Sequence, residues 1–182
     1  MAVATVGRKT RRDYEALEEG APYQLINGQL IVSPSPSYFH QLVSMRLSRF
    51  LDRYVTEHGL GRVVTAPLDI HLRETEIYQP DILYISNERS DIIQERIEGA
   101  PDLIVEILSP ATAYYDLRHK RRIYQEENVL EYWIVDPMDP AVEVFWNAGE
   151  TYERHEIHHK EGTAKSRLLE SFSVDLTELF AQ

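Results

Sequence analysis

The segment Asp102 to Leu108, DLIVEIL, sets the tightest limit on what this chain can become. Its apolar residues fall on both faces of an extended strand, the pattern of a central strand covered on both sides. A chain holding such a strand must build a sheet and then lay other elements against each face. Glu106 interrupts the apolar run. A buried, unpaired carboxylate is costly, so Glu106 must be paired, metal-bound or set beside a water-filled cleft. The plainer alternative is a strand whose end simply reaches solvent.

The surrounding pattern predicts the layers. Residues 11–19 read as a short helix ending at Gly20. Tyr23 to Val32 reads as a hairpin turning at Asn27-Gly28, where both central positions of a tight turn need positive φ. Ser33-Pro34-Ser35-Pro36 breaks that strand. A helix then runs from about Ser37 to Glu57, with Leu42, Met45, Leu47, Phe50, Leu51 and Tyr54 as its apolar stripe and His58-Gly59 as its end. Arg62 to Leu72 and Gln79 to Ser86 read as strands joined by Arg73-Glu74-Thr75-Glu76, and a polar loop spans Asn87 to Gly99. Residues 111–127 read as a helix, with Ser109 as N-cap, Pro110 in the first turn and Asn128 as a left-handed terminator. The stretch 130–136 returns to strand, AVEVFW and TYERHEI form an antiparallel hairpin, and a last strand precedes a short helix from Val174 to Phe180. The whole reads as an α/β (α+β) domain with a mixed central sheet flanked by helices.

At 182 residues the chain suits a single domain, taken as 13–182 after a solvated basic tail at 1–12 that carries Arg8, Lys9, Arg11 and Arg12. There are no cysteines, which excludes disulfides, thiolate nucleophiles and cysteine-type zinc sites. The opening MAVATVGRK lacks the charge-then-apolar order of a signal peptide, and no apolar run approaches a membrane span, so a cytoplasmic protein is expected. The net charge of −11, from 19 basic and 30 acidic side chains, argues against a protein wrapped along nucleic acid. It leaves room for an enzyme that touches DNA through a local positive patch.

Asp81, after Pro80 at the start of an apolar strand, is a weak candidate alone, because Asp beside Pro is ordinary turn chemistry. A second carboxylate on a neighbouring strand changes its weight. Two anions within about 4 Å repel by roughly 4 kcal/mol at an effective dielectric near 20, so such a pair needs a cation. An all-oxygen site suits Mg²⁺ or Mn²⁺. On the helix that follows, Asp116, Lys120 and Tyr124 stand four apart and share one face. Lys120 could fold back over the Glu106 strand to meet a phosphate oxygen or orient a water, or it could make an ordinary surface pair with Asp116. Arg118, His119, Arg121 and Arg122 form the one dense basic patch of the folded body, either phosphate-facing or solvated. His155, His158 and His159, in HEIHH, fit neither a helical zinc motif nor its spacing.

Together, PD at 80–81, PDLIVEILSPAT at 101–112, the D…K…Y spacing at 116, 120 and 124, and EYWIVDP at 131–137 resemble the Uma family of restriction endonucleases. That family belongs to the PD-(D/E)xK nuclease superfamily, and the resemblance runs from about Tyr14 to Phe180. It implies a restriction-endonuclease-like fold and hydrolysis of DNA phosphodiester bonds by metal-activated water. By the same resemblance Asp81 and Glu106 are the metal-binding acids and Lys120 is the catalytic lysine. The usual lysine position, two residues after the second acid, is Leu108 here. Family members commonly carry glutamate in the first strand, where this chain has Gln24 and Gln29. His40 matches a histidine of the family, though on one sequence capping or packing explains it better than a catalytic role. A homodimer is expected, as for nucleases that cut both strands. Two other functions fit the same residues: a nuclease-like binding or regulatory module without catalysis, and a hydrolase of another phosphate ester.

Overall fold

A computed structural model describes residues 7–109 and 115–181, with the side chains of 115–117 outside the description. Its centre is a mixed six-stranded sheet formed by β3 (Gly61–Thr65), β6 (Ile82–Ser86), β8 (Leu103–Ile107), β9 (Glu131–Asp136), β10 (Ala141–Asn147) and β11 (Tyr152–His159). The strand order is β11-β10-β9-β8-β6-β3. β8 lies inside it, parallel to β9 and antiparallel to β6. Alternation along these strands divides the core. Tyr84, Leu103, Val105, Ile107, Trp133 and Val135 pack on one side, against α2 (Tyr38–Glu57) and the C-terminal segment. Leu83, Ile85, Ile104, Tyr132 and Ile134 pack on the other, with Ile123 and Tyr124 of α3 (Arg121–Glu126). The twice-covered strand expected at DLIVEIL is β8, whose five residues are all buried.

A second sheet of five strands has the order β2-β1-β5-β4-β7. Its members are β1 (Tyr23–Ile26), β2 (Gln29–Val32), β4 (Ile70–Arg73), β5 (Glu76–Tyr78) and β7 (Ile97–Glu98). The β1–β2 turn has Asn27 at φ 51° and Gly28 at φ 71°, as its sequence requires. A ribbon of β12 (Thr163–Lys165) and β13 (Ser173–Asp175) leads into α4 (Leu176–Leu179), where the Asp175 side chain accepts from the Thr177 and Glu178 amides.

Several expectations are corrected. Arg62 to Leu72 is not one strand, since the chain leaves the central sheet after Thr65 and joins the second at Ile70. Pro67, which has no amide to give to a ladder, lies in the crossing. The stretch Gln79 to Ser86 is strand only from Ile82 onward, and the polar loop contains a short 3₁₀ turn at Asn87–Ile92 and the small β7. The buried face of α2 is His40, Val43, Ser44, Leu47, Leu51 and Val55, whereas Met45 is exposed. Val43, Leu47, Leu51 and Val55 each contribute about 1.5–3 kcal/mol when fully buried. Within 111–127 the described part is a π-helical turn at Tyr115–Lys120 followed by α3. Pro110 and the expected helix start lie outside the described residues. The first helix, α1 (Arg11–Glu15), is shorter than expected. The basic segment before residue 13 is tied down from Lys9 onward: its amide bonds Gly28 O at 2.8 Å, and the Arg11 guanidinium takes both oxygens of Glu98.

Candidate active site

Asp81 sits where the chain passes from the second sheet into the central one. β5 ends at Tyr78, and Gln79-Pro80-Asp81 crosses to β6. The register pairs Ile82 with Val105, so one step further Asp81 stands opposite Glu106. Facing positions on antiparallel strands share a side of the sheet. The Asp81 carboxylate is held from β8, with Oδ2 accepting the Ile107 amide at 2.7 Å. It is the more accessible of the two acids, with 19% side-chain exposure against 4% for Glu106.

Glu106 is the one acid within β8, and it is satisfied from the helical segment that follows. Lys120 Nζ donates to Oε1 at 2.9 Å, and the Tyr124 hydroxyl donates to the same oxygen at 2.6 Å. Lys120 and Tyr124 are four residues apart on one helical face, as their spacing predicts. Both are buried, and the Tyr78 ring lies beneath Lys120 with Nζ 5.6 Å from its centroid. Burial and the Glu106 carboxylate push the Tyr124 hydroxyl well above its ordinary pKa, so it stays a donor. Asp116, the third residue on that face, has its side chain outside the description.

His40 joins the two layers. It lies in the first turn of α2, where its amide caps onto Ser37 Oγ at 3.2 Å. Its Nε2 meets the Ile107 carbonyl at 2.9 Å, and a carbonyl can only accept, so Nε2 carries the proton. The same nitrogen is 3.6 Å from Asp81 Oδ1. Burial lowers the imidazole pKa, while Asp81, the Ile107 carbonyl and Glu106 outweigh it and leave the net shift upward. His40 therefore gives its amide to the Ser37 cap and sets its ring beside Asp81. Sequence treated those roles as alternatives because nothing in it shows that the helix start meets the end of β8.

The surroundings complete the frame. Gln24, standing in the first strand, accepts the Gln79 amide at 3.1 Å and donates to Ser33 Oγ at 3.0 Å, fixing the segment that delivers Asp81. Buried Glu76, unnoticed in the sequence, accepts from the Tyr78 hydroxyl at 2.6 Å and the Asn27 amide at 2.9 Å, with His119 at 3.2 Å. The expected basic patch is largely engaged within the fold. His119 faces Glu76, Arg121 lies 3.9 Å over the Phe145 ring, and Arg122 pairs with Glu126. The HEIHH histidines lie on β11, where His158 meets Glu156 at 3.1 Å.

Among the described residues no group of three or more His, Asp or Glu side chains could hold a metal. Asp81 and Glu106 together still fit Mg²⁺ or Mn²⁺. A hard cation of this kind takes one or two protein carboxylates and completes its shell with water and substrate phosphate. The donor chemistry is that of two oxyanions with a lysine beside one of them.

Relatives share this architecture. A protein from Anabaena variabilis ATCC 29413, described as "a putative nuclease belonging to DUF820", superposes with TM-score 0.81 over 94% of this chain and 97% of its own, at 19% identity. At that identity the likeness shows the fold, which is restriction-endonuclease-like. The protein sll1609 of Synechocystis sp. (strain ATCC 27184 / PCC 6803 / Kazusa) is 28% identical over 156 residues, covering 82% of this chain and 87% of the relative. A second protein of that strain, slr1290, is 26% identical over 125 residues, covering 68% and 65%. No helix among the described residues is long and apolar enough to cross a membrane. The family model described as "Putative restriction endonuclease" matches residues 11–177, and the chain belongs to that family, Uma2.

Proposed function

We propose that the protein is a divalent-metal-dependent endonuclease that hydrolyses DNA phosphodiester bonds at Asp81, Glu106 and Lys120. The observation that carries this reading is the strand register that sets Asp81 opposite Glu106, with a buried lysine 2.9 Å from the Glu106 carboxylate. Asp81 and Glu106 are the residues that would hold Mg²⁺ or Mn²⁺. Bound there, the ion would lower the pKa of a water molecule and polarise a phosphoryl oxygen.

The chain's own groups have distinct tasks. The Ile107 amide fixes Asp81 Oδ2 and so aims the carboxylate. Lys120 brings a positive charge to the point where charge accumulates on a phosphate, and there it donates a hydrogen bond or orients the attacking water. Tyr124 holds Glu106 in place as a neutral donor. The Tyr78, Tyr124 and Tyr132 rings behind these groups exclude water from their rear.

A second reading, a nuclease-like module that binds without cutting, rests on the same carboxylate. Glu106 is buried and its Oε1 accepts from both Lys120 and Tyr124, a satisfied arrangement in itself. Plasmid cleavage with Mg²⁺ or Mn²⁺ separates the two. Wild type is expected to nick the plasmid, with Glu106→Ala and Lys120→Ala reduced on the order of a hundredfold or more. Equal cleavage by all three rejects the site, and an inert wild type favours the binding module.

A further inference from the structure

We infer that the solvent face of α2 is a phosphate-binding track, on which Arg46, Arg49 and Arg53 hold the DNA strand that leaves the Asp81–Glu106 site. The identity of the polyanion rests on the nuclease reading. Steps of three and four residues put these arginines on one helical face. That face lies away from the stripe of Val43, Leu47, Leu51 and Val55 that α2 buries. The three arginines line a groove of about 300 Å³ together with Phe50 and Asp52.

What distinguishes them is that three arginines without an ion-pair partner among the described residues share one helical face. Arg11, Arg73, Arg89, Arg96, Arg122 and Arg154 each lie within ion-pair distance of a carboxylate. Among the described residues, Arg46, Arg49 and Arg53 have no such neighbour; Arg46 is instead anchored on the Leu179 and Ala181 carbonyls. In a chain of net charge −11, acids to pair with them are plentiful. Like charges one turn apart also destabilise a helix. With Asp52 the one acid lining the groove, three arginines leave it net positive, complementary to an anion from outside, and a row of three suits a polyanion better than a single ion.

The direction of α2 connects the row to the site. The helix begins beside Asp81, whose Oδ1 is 3.6 Å from His40 Nε2. Arg46 lies about 9 Å further along the axis, and Arg53 about 20 Å, at 1.5 Å of rise per residue. From Arg46 to Arg53 is about 10 Å. One strand of duplex DNA presents a phosphate roughly every 3.4 Å of axis, or about three phosphates over that length. The track thus supplies the local positive surface that an acidic nuclease needs.

The test is binding of a fluorescein-labelled DNA duplex by anisotropy, in EDTA so that no cutting occurs, over a series of salt concentrations. Arg49→Gln/Arg53→Gln changes two exposed side chains that make no ion pair, and Arg154→Gln is the control. Each phosphate contact contributes about 0.9 to the slope of log affinity against log salt. The double variant is therefore expected to lower that slope by about 1.8 and to weaken binding at least tenfold near 50 mM salt, with Arg154→Gln unchanged. An unchanged slope in the double variant overturns the track while cleavage by wild type leaves the nuclease reading standing. A lowered slope in a protein that never cuts with Mg²⁺ or Mn²⁺ keeps the track and removes the nuclease reading. A wild type that binds no DNA at low salt overturns both.

Discussion

Lys120 Nζ stands 2.9 Å from Glu106 Oε1 with both side chains buried, so each charge offsets the desolvation of the other. Replacing one partner leaves the other charged, buried and short of its counterpart, at a cost of about 3–5 kcal/mol. Lys120→Met is expected to lower stability by that order in urea denaturation. Lys120→Met/Glu106→Leu should recover most of the loss, because apolar residues of similar volume remove the stranded charge. A double variant no more stable than Lys120→Met contradicts the pairing.

Tyr124 contributes separately. Its hydroxyl donates to the same carboxylate oxygen at 2.6 Å from a fully buried position. Tyr124→Phe keeps the ring packing and deletes only that bond, which is expected to cost about 1.5–3 kcal/mol because the acceptor is charged. Equilibrium denaturation of Tyr124→Phe measures it, and a change below a few tenths of a kcal/mol would show the contact to be idle.

Glu131 gathers four donors: Trp133 Nε1 and Ser166 Oγ on Oε1, and the Arg167 and Leu168 amides on Oε2, all within 2.9 Å. It fastens the segment after β12 to the start of β9. Glu131→Ala strands these donors and is expected to cost about 3 kcal/mol or more. Tryptophan emission should shift to the red at lower urea than in wild type. Unaltered emission and midpoint would remove Glu131 from this role.

His71 predicts an acid sensitivity. It is buried, neither ring nitrogen makes a hydrogen bond, and Glu98 and Glu15 stand 3.6 and 3.9 Å from Nδ1. Burial, then the Arg11 guanidinium, lowers its pKa below 6.5. The unfolded chain therefore binds the proton more readily, and stability rises with pH across the interval. The contribution is complete above pH 6.5 and is lost as pH falls through the depressed folded value. Glu98, held low chiefly by Arg11, and Glu126, held low chiefly by Arg73, act in a separate window below their ordinary 4.5. Thermal melts from pH 7 to 5 should decline in wild type and flatten in His71→Phe; parallel curves contradict the assignment.

The sequence reveals features whose chemistry is local. Asn27-Gly28 specifies its turn by needing two positive φ angles, and Glu106 stands out because a carboxylate breaks a doubly apolar strand. Lys120 and Tyr124 meet it because their spacing is that of one helical face. Features that depend on where distant segments cross are not legible. Nothing local shows that the chain changes sheets between Thr65 and Ile70, or that His40 reaches the end of β8. The charge distribution misled for the same reason. Arg118 to Arg122 are dense in sequence, yet several of them are taken up by neighbours in the fold, His119 by Glu76, Arg121 by the Phe145 ring and Arg122 by Glu126, while Arg46, Arg49 and Arg53 are spaced three and four apart and gathered by the helix.

The central claim is that Asp81 and Glu106 hold a divalent ion. Titration calorimetry of Mn²⁺ into the protein tests it most directly. The account predicts binding in wild type at millimolar metal or below that disappears in Asp81→Ala, with the variant still folded by circular dichroism. No binding by folded wild type at millimolar Mn²⁺, or equal binding by Asp81→Ala, would contradict it.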